Sequence, residues 1–162
     1  MNESTLLPAP LWRRLLALAY ELLAVVAIIM VMVMACLLLT GGKLDPHAWW
    51  YRATLLAAVG AYFVISWIRG GQTLGMRPWR LRLRATDGGP VSTQRALLRF
   101  ASLAAPLLLI ALAPLTGTRS AMIAPFAAWI VYLAMAFVDP RHRTVQDLLS
   151  GTLLEYRPVP RD

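Results

Sequence analysis

The sequence predicts an all-α membrane protein: four transmembrane helices, with a basic cytoplasmic loop that contains short extended and amphipathic segments. Three observations carry this. The 162 residues are 59% hydrophobic and only 15% charged, against about 45–50% and about 25% in a soluble domain. A chain of this length has too little interior to hide so much apolar surface. The apolar residues gather into four runs, and most of the net charge of +8 gathers where alternate ends of those runs would meet the same side of a bilayer.

The first run covers 15–39 and is interrupted only by Glu21. As a helix it is about 37 Å long, more than the roughly 30 Å hydrocarbon core. Tilt absorbs the excess. The run is too long for the apolar core of a signal peptide, about 7–15 residues, and reads as a helix that is retained. Thr40-Gly41-Gly42 stops it. Cys36 is the sole cysteine, so an intramolecular disulfide and a thiolate metal cluster are both excluded. The second helix is assigned to 49–68. Its strictly apolar part, 53–68, is short. It spans once Trp49, Trp50 and Tyr51 sit in the interfacial belt and Arg52 snorkels outward.

Residues 69–99 change character. Seven arginines (69, 77, 80, 82, 84, 95 and 99) oppose one acid, Asp87, a net charge of +6. From Trp79 to Arg84 apolar and basic residues alternate, which is strand period or an extended segment lying on the membrane. Thr86-Asp87-Gly88-Gly89-Pro90 reads as a turn, and Ser92 or Thr93 as a helix cap. The third helix is placed at 97–115, with Pro106 and Pro114, and the fourth at 121–138, with Pro125. Membrane helices tolerate proline where neighbours satisfy the freed carbonyls. Asp139-Pro140 ends the fourth. A short amphipathic helix is expected at 144–149, with Gly151 as its stop. Residues 10–154 read as one membrane domain, with 1–9 and 155–162 as flexible termini.

Short basic loops stay on the cytoplasmic side. Arg13-Arg14, the 69–99 loop and Arg141-His142-Arg143 qualify, and four helices put all three on one side. Both termini and the central loop are therefore expected in the cytoplasm, with the protein multi-pass in the membrane. The basic loop then sets topology and attracts anionic lipid, at roughly 1 kcal/mol per basic residue near the surface. Expected partners are membrane lipids, anionic headgroups especially, through Arg77, Arg80, Arg82, Arg84 and Arg95, and further copies of the chain. Nucleic acid is not expected, because the arginines sit beside membrane runs. No nucleophile–base pair, metal-ligand cluster or phosphate-loop pattern is present in the sequence, so neither enzymatic activity nor a cofactor is expected.

Glu21 is the most informative residue. An unpaired carboxylate at the centre of a membrane helix costs a few kcal/mol by insertion scales. It must pair, bind a proton or face water. Arg14 lies seven residues earlier, on nearly the same face and about 10 Å away along the axis. That is too far for direct contact but close enough to share a polar patch. Arg14 and Glu21 are either anchoring ion-pair partners, with Arg99 or Asp147, or an ion- or proton-handling site. Asp147, three residues after Thr144, either caps a helix or pairs with Arg14 or Arg99 at the membrane surface.

Three patches give the chain a family likeness. They are Trp12-Arg13-Arg14-Leu15-Leu16-Ala17-Leu18-Ala19-Tyr20-Glu21, then Gly71-Gln72-Thr73-Leu74-Gly75-Met76-Arg77-Pro78-Trp79-Arg80-Leu81, and Arg141-His142-Arg143-Thr144-Val145-Gln146-Asp147-Leu148-Leu149-Ser150-Gly151-Thr152. In this order they resemble the RDD family of bacterial integral membrane proteins, named for an arginine and two aspartates. Arg14 matches the arginine and Asp147 the second aspartate. Glu21 stands where the first aspartate would be, and Gln146 where members often have histidine. The resemblance implies the four-helix architecture and a multi-pass place in the bacterial cytoplasmic (inner) membrane, with both termini cytoplasmic. It also implies a transport role, cation/proton exchange having been suggested for some members. The alternative is a non-transport accessory protein whose basic loop binds anionic lipid or a membrane partner.

Overall fold

A computed structural model of the chain describes residues 7–112, 115, 117–140 and 142–156. Pro114 and Arg141 lie outside them. The order is β1 (Leu7–Pro8), α1 (Leu11–Leu39), α2 (Trp49–Gly70), β2 (Leu81–Ala85) and α3 (Thr93–Ala104). A 3-10 stretch (Ala105–Leu112), α4 (Thr118–Val138), α5 (Val145–Ser150) and β3 (Thr152–Tyr156) follow. Among the described residues, four helical segments are long and apolar enough to cross a membrane: α1, α2, α4 and the run Thr93–Ile110. Their outer faces bear large apolar side chains, with Leu22, Met30, Leu38, Phe126 and Phe137 all exposed. Water would reject such a surface and lipid accepts it.

α1 begins at Leu11, earlier than the apolar run at 15, because Pro10 stands directly ahead of the first helical residue and both following arginines find partners. Arg14 is buried in an ion pair with Asp147. The Arg13 guanidinium stacks over the rings of Trp12 and Tyr156, at 4.5 and 4.0 Å from their centroids. At its other end the Thr40 hydroxyl donates to the Cys36 carbonyl at 2.9 Å. α2 ends at Gly71, whose φ of +64° is the left-handed conformation of a helix cap.

The third apolar run departs from the expected helix over 97–115. It starts at Thr93, where the Ser92 hydroxyl accepts the Arg95 N–H at 3.3 Å. Past Ala104 it tightens into 3-10 geometry over Ala105–Leu112. Pro106 is the physical reason, since it has no N–H to continue the α ladder. In 3-10 register the carbonyl left without that donor is Leu103's, and the Trp129 indole N–H of α4 donates to it at 2.9 Å.

The strand-period segment is real but shorter than Trp79–Arg84 suggests. Arg80 has a positive φ of 55°, so regular strand begins at Leu81. β2 belongs to a three-stranded antiparallel sheet, in the order β1-β3-β2, that the sequence reading lacked. Leu7 and Leu81 both lie opposite Tyr156, and Leu83 lies opposite Leu154. The termini expected to be flexible at 1–9 and 155–162 are therefore ordered where they are described: Leu7–Pro8 and Glu155–Tyr156 are strand, and Ala9 is fully buried. The sheet closes the end of the helices where both described chain ends lie. Leu81 and Leu83 of β2, Leu154 of β3, Ala17 of α1 and Phe63 and Trp67 of α2 form the core there.

Candidate functional site

α5 is only six residues long, and its first turn is built around Asp147. Oδ2 accepts the Thr144 N–H at 2.9 Å, as a capping acid does. The same oxygen accepts from Arg14 Nη1 at 3.0 Å, while Oδ1 accepts from Arg99 Nη1. Capping and pairing, left as alternatives by the sequence, occur together. All three charged residues are at least 95% buried. Burial pushes the Asp147 carboxyl up, but the guanidinium groups of Arg99 and Arg14 and the Thr144 amide outweigh it, and the carboxyl titrates below its ordinary range.

The other two nitrogens of Arg14 are also placed, and Arg99 Nη1 has a second acceptor. Arg14 Nε donates to the Ala9 carbonyl at 3.2 Å and Nη2 to the Leu154 carbonyl at 3.3 Å. Arg99 Nη1 donates to the Thr152 hydroxyl at 2.7 Å, and its guanidinium lies 5.2 Å from the centre of the Trp67 ring. The cluster thus ties α1, α3 and α5 to β3. A buried charge cluster needs such additional partners to offset its desolvation.

Glu21 lies further along α1 and has a different environment. Tyr62 of α2 donates its hydroxyl to Oε1 at 2.6 Å, and Thr73 donates to Oε2. The Tyr62 oxygen in turn accepts the Leu74 N–H at 3.0 Å. No arginine is within ion-pair distance of Glu21 among the described residues. Of the two alternatives for Glu21, the ion pair with an arginine is absent among the described residues, and hydroxyl donors take its place. Sequence reading missed Tyr62, Thr73 and Gly75. The available signal was chemical: Tyr62 is a hydroxyl inside an apolar run, and Thr73 and Gly75 belong to the central patch.

All four candidate residues, Arg14, Glu21, Arg99 and Asp147, border one cavity of about 90 Å³. That is room for several waters, at about 10–15 Å³ of such volume each. Glu21 and Gln146 also border a second cavity of about 600 Å³ between the helices, walled by apolar chains such as Val25, Leu55, Phe100 and Trp129. Among the residues that border both cavities, Glu21 and Gln146 are the polar ones.

The five arginines assigned to lipid or partner contacts separate into kinds. Arg95 is paired with Asp87 at 3.0 Å and Arg84 lies 3.7 Å from Glu155. The Gly89 amide and then Arg95 hold the exposed Asp87 carboxyl below its ordinary range. Burial raises the Glu155 carboxyl against the pull of Arg84 and Arg82. Arg77, Arg80 and Arg82 are exposed.

The RDD family model matches residues 8–151. No curated protein and no solved structure matches the chain. The match takes in α1, the central patch and α5, the elements that supply Arg14, Thr73 and Asp147. With its four membrane-length helices, the chain is a multi-pass membrane protein that belongs to the RDD family.

Proposed function

We propose that this protein takes part in moving a proton or small cation across a bacterial cytoplasmic membrane, with Glu21 as the exchanging group and both termini in the cytoplasm. One observation carries the reading: a buried carboxyl group, held by two hydroxyl donors, borders two cavities inside the helices, one of which also reaches Arg14, Arg99 and Asp147. An ionisable side chain at membrane depth is a functional-site hypothesis by default. Tyr62 and Thr73 are neutral donors, so they orient Glu21 without cancelling its charge. Arg14 and Arg99 are occupied by Asp147, which leaves the Glu21 carboxylate as the acidic partner for an incoming cation. Four helices enclose little space, so a complete path would use more than one copy.

The test is flux through liposomes containing the purified protein, with a pH-sensitive dye inside and a panel of monovalent cations outside. Wild type should exchange, and Glu21→Gln should abolish exchange while the protein still inserts and elutes as an assembled species. Absence of flux across the panel for correctly assembled wild type rejects the reading.

A second reading is a non-transport accessory membrane protein. The apolar lining of the larger cavity favours it, since a cation there meets few polar groups beyond Glu21 and Gln146. Glu21→Gln would then lower abundance or stability with no flux to lose.

A further inference from the structure

A second group of cationic side chains lies apart from Glu21, where α2 ends against the sheet. A cavity of about 240 Å³ there is bordered by Arg69, Arg82 and Arg84 and by the glycine pairs at 70–71 and 88–89. Among the described residues no carboxylate borders it. Gly71 brings its walls together. Its carbonyl accepts the Leu83 N–H at 2.7 Å, which fastens β2 to the end of α2. A Cβ at Gly71 would stand 2.5 Å from the Leu83 carbonyl oxygen and 3.3 Å from Arg82 Cγ, so the stem of Arg82 lies along the bare glycine.

The three arginines are unequally occupied. Arg84 donates to the Gly88 carbonyl at 3.2 Å and lies near Glu155. Neither Arg69 nor Arg82 has a carboxylate within ion-pair distance among the described residues. Guanidinium forks match the oxygens of phosphate, and glycines allow a ligand to approach the backbone closely. Arg69 sits in the last turn of α2, next to the exposed Ile68. The end of a membrane-length helix is the level at which lipid headgroups lie.

We infer that Arg69, Arg82 and Arg84 form a binding site for a phosphate group, carried by an anionic phospholipid headgroup or by a small soluble phosphate. The site is independent of the transport reading. It narrows the five arginines expected to meet lipid: Arg95 is neutralised by Asp87 and borders a different groove, and Arg69 is added.

The full-length protein in detergent micelles is titrated with short-chain phosphatidylglycerol, with inorganic phosphate and with glycerol phosphate. Binding is read from tryptophan fluorescence, since Trp67 borders the cavity, and from the thermal midpoint. Saturation by the lipid alone identifies a headgroup site. Saturation by a soluble phosphate identifies a site for that ligand. The double variant Arg69→Gln/Arg82→Gln should weaken binding about 25-fold, at about fivefold per arginine. The double variant Arg77→Gln/Arg80→Gln, which loses the same charge away from the cavity lining, should weaken it clearly less. Equal weakening by the two pairs, or no saturation by any of the three probes, overturns the inference. Should the glutamine variants misfold, Arg69→Lys/Arg82→Lys keeps the charge but removes the forks. Weakened binding then supports the site and unchanged binding overturns it.

Discussion

Gly75 lies against Glu21 so closely that a Cβ on it would stand 2.6 Å from the Glu21 Oε2 atom and 2.6 Å from the Ala17 carbonyl oxygen. The segment that delivers Thr73 to the Glu21 carboxylate therefore runs backbone against backbone across α1. A side chain at 75 would lift the whole segment and take the Thr73 donor with it. Gly75→Ala should cost about 1–3 kcal/mol, as overpacking of a tight contact does. The measurement is the thermal midpoint in detergent. A midpoint equal to wild type would show that the segment does not approach α1 this closely.

Asp147 holds two guanidinium groups away from water. Asp147→Asn leaves two buried positive charges without their counter-ion and should destabilise by about 3–5 kcal/mol. The coupling between Arg14 and Asp147 is measurable in a double-mutant cycle with alanine at each position. Residues bonded directly should depart from additivity by about 0.5–3 kcal/mol. Additive single-variant effects would deny the pairing.

Thr73→Val keeps the shape of the side chain and removes its donor. A buried carboxylate oxygen then loses a partner, at a cost of about 1–3 kcal/mol. In a Glu21→Gln background the same change should cost less, because an amide oxygen is a weaker acceptor than a carboxylate. Equal costs in both backgrounds would separate Thr73 from Glu21.

Stability should fall in acid through Asp147. Its carboxyl pKa is depressed in the folded protein, so the unfolded state binds the proton first as pH falls. The stabilisation is fully present above the ordinary aspartate value of about 3.9 and is lost as pH drops toward the folded value. Glu155 has the opposite sign: its raised pKa makes the ionised form less favourable when folded, and protonation on acidification relieves this. Thermal midpoints from pH 7 to pH 3 should decline at the acid end in wild type, and Asp147→Asn should flatten that decline. An unaltered acid slope in Asp147→Asn would assign the transition to other carboxyls.

The membrane helices were legible from sequence because the signal is additive. Long apolar runs such as 15–39 leave few structural choices in a bilayer, where the backbone must satisfy its own hydrogen bonds. The extended stretch ending at Arg84 showed its alternation, and Gly151 its role as a helix stop. The sheet was less visible. β1 has only two residues and β3 joins partners distant in sequence, as in Leu81 opposite Tyr156. Such pairing depends on register between segments and leaves no mark on either segment alone.

The candidate site divides in the same way. The cost of a charge within an apolar run picked out Glu21, the family resemblance pointed to Arg14 and Asp147, and Arg99 entered as a basic residue at the start of the third run. The choice of partners came from the tertiary structure. Arg14 and Arg99 both turn to Asp147, and Glu21 is held by Tyr62 and Thr73 instead of an arginine. The reason is geometric. Seven residues of helix keep Arg14 and Glu21 about 10 Å apart, and only chain folding decides which donors fill that distance.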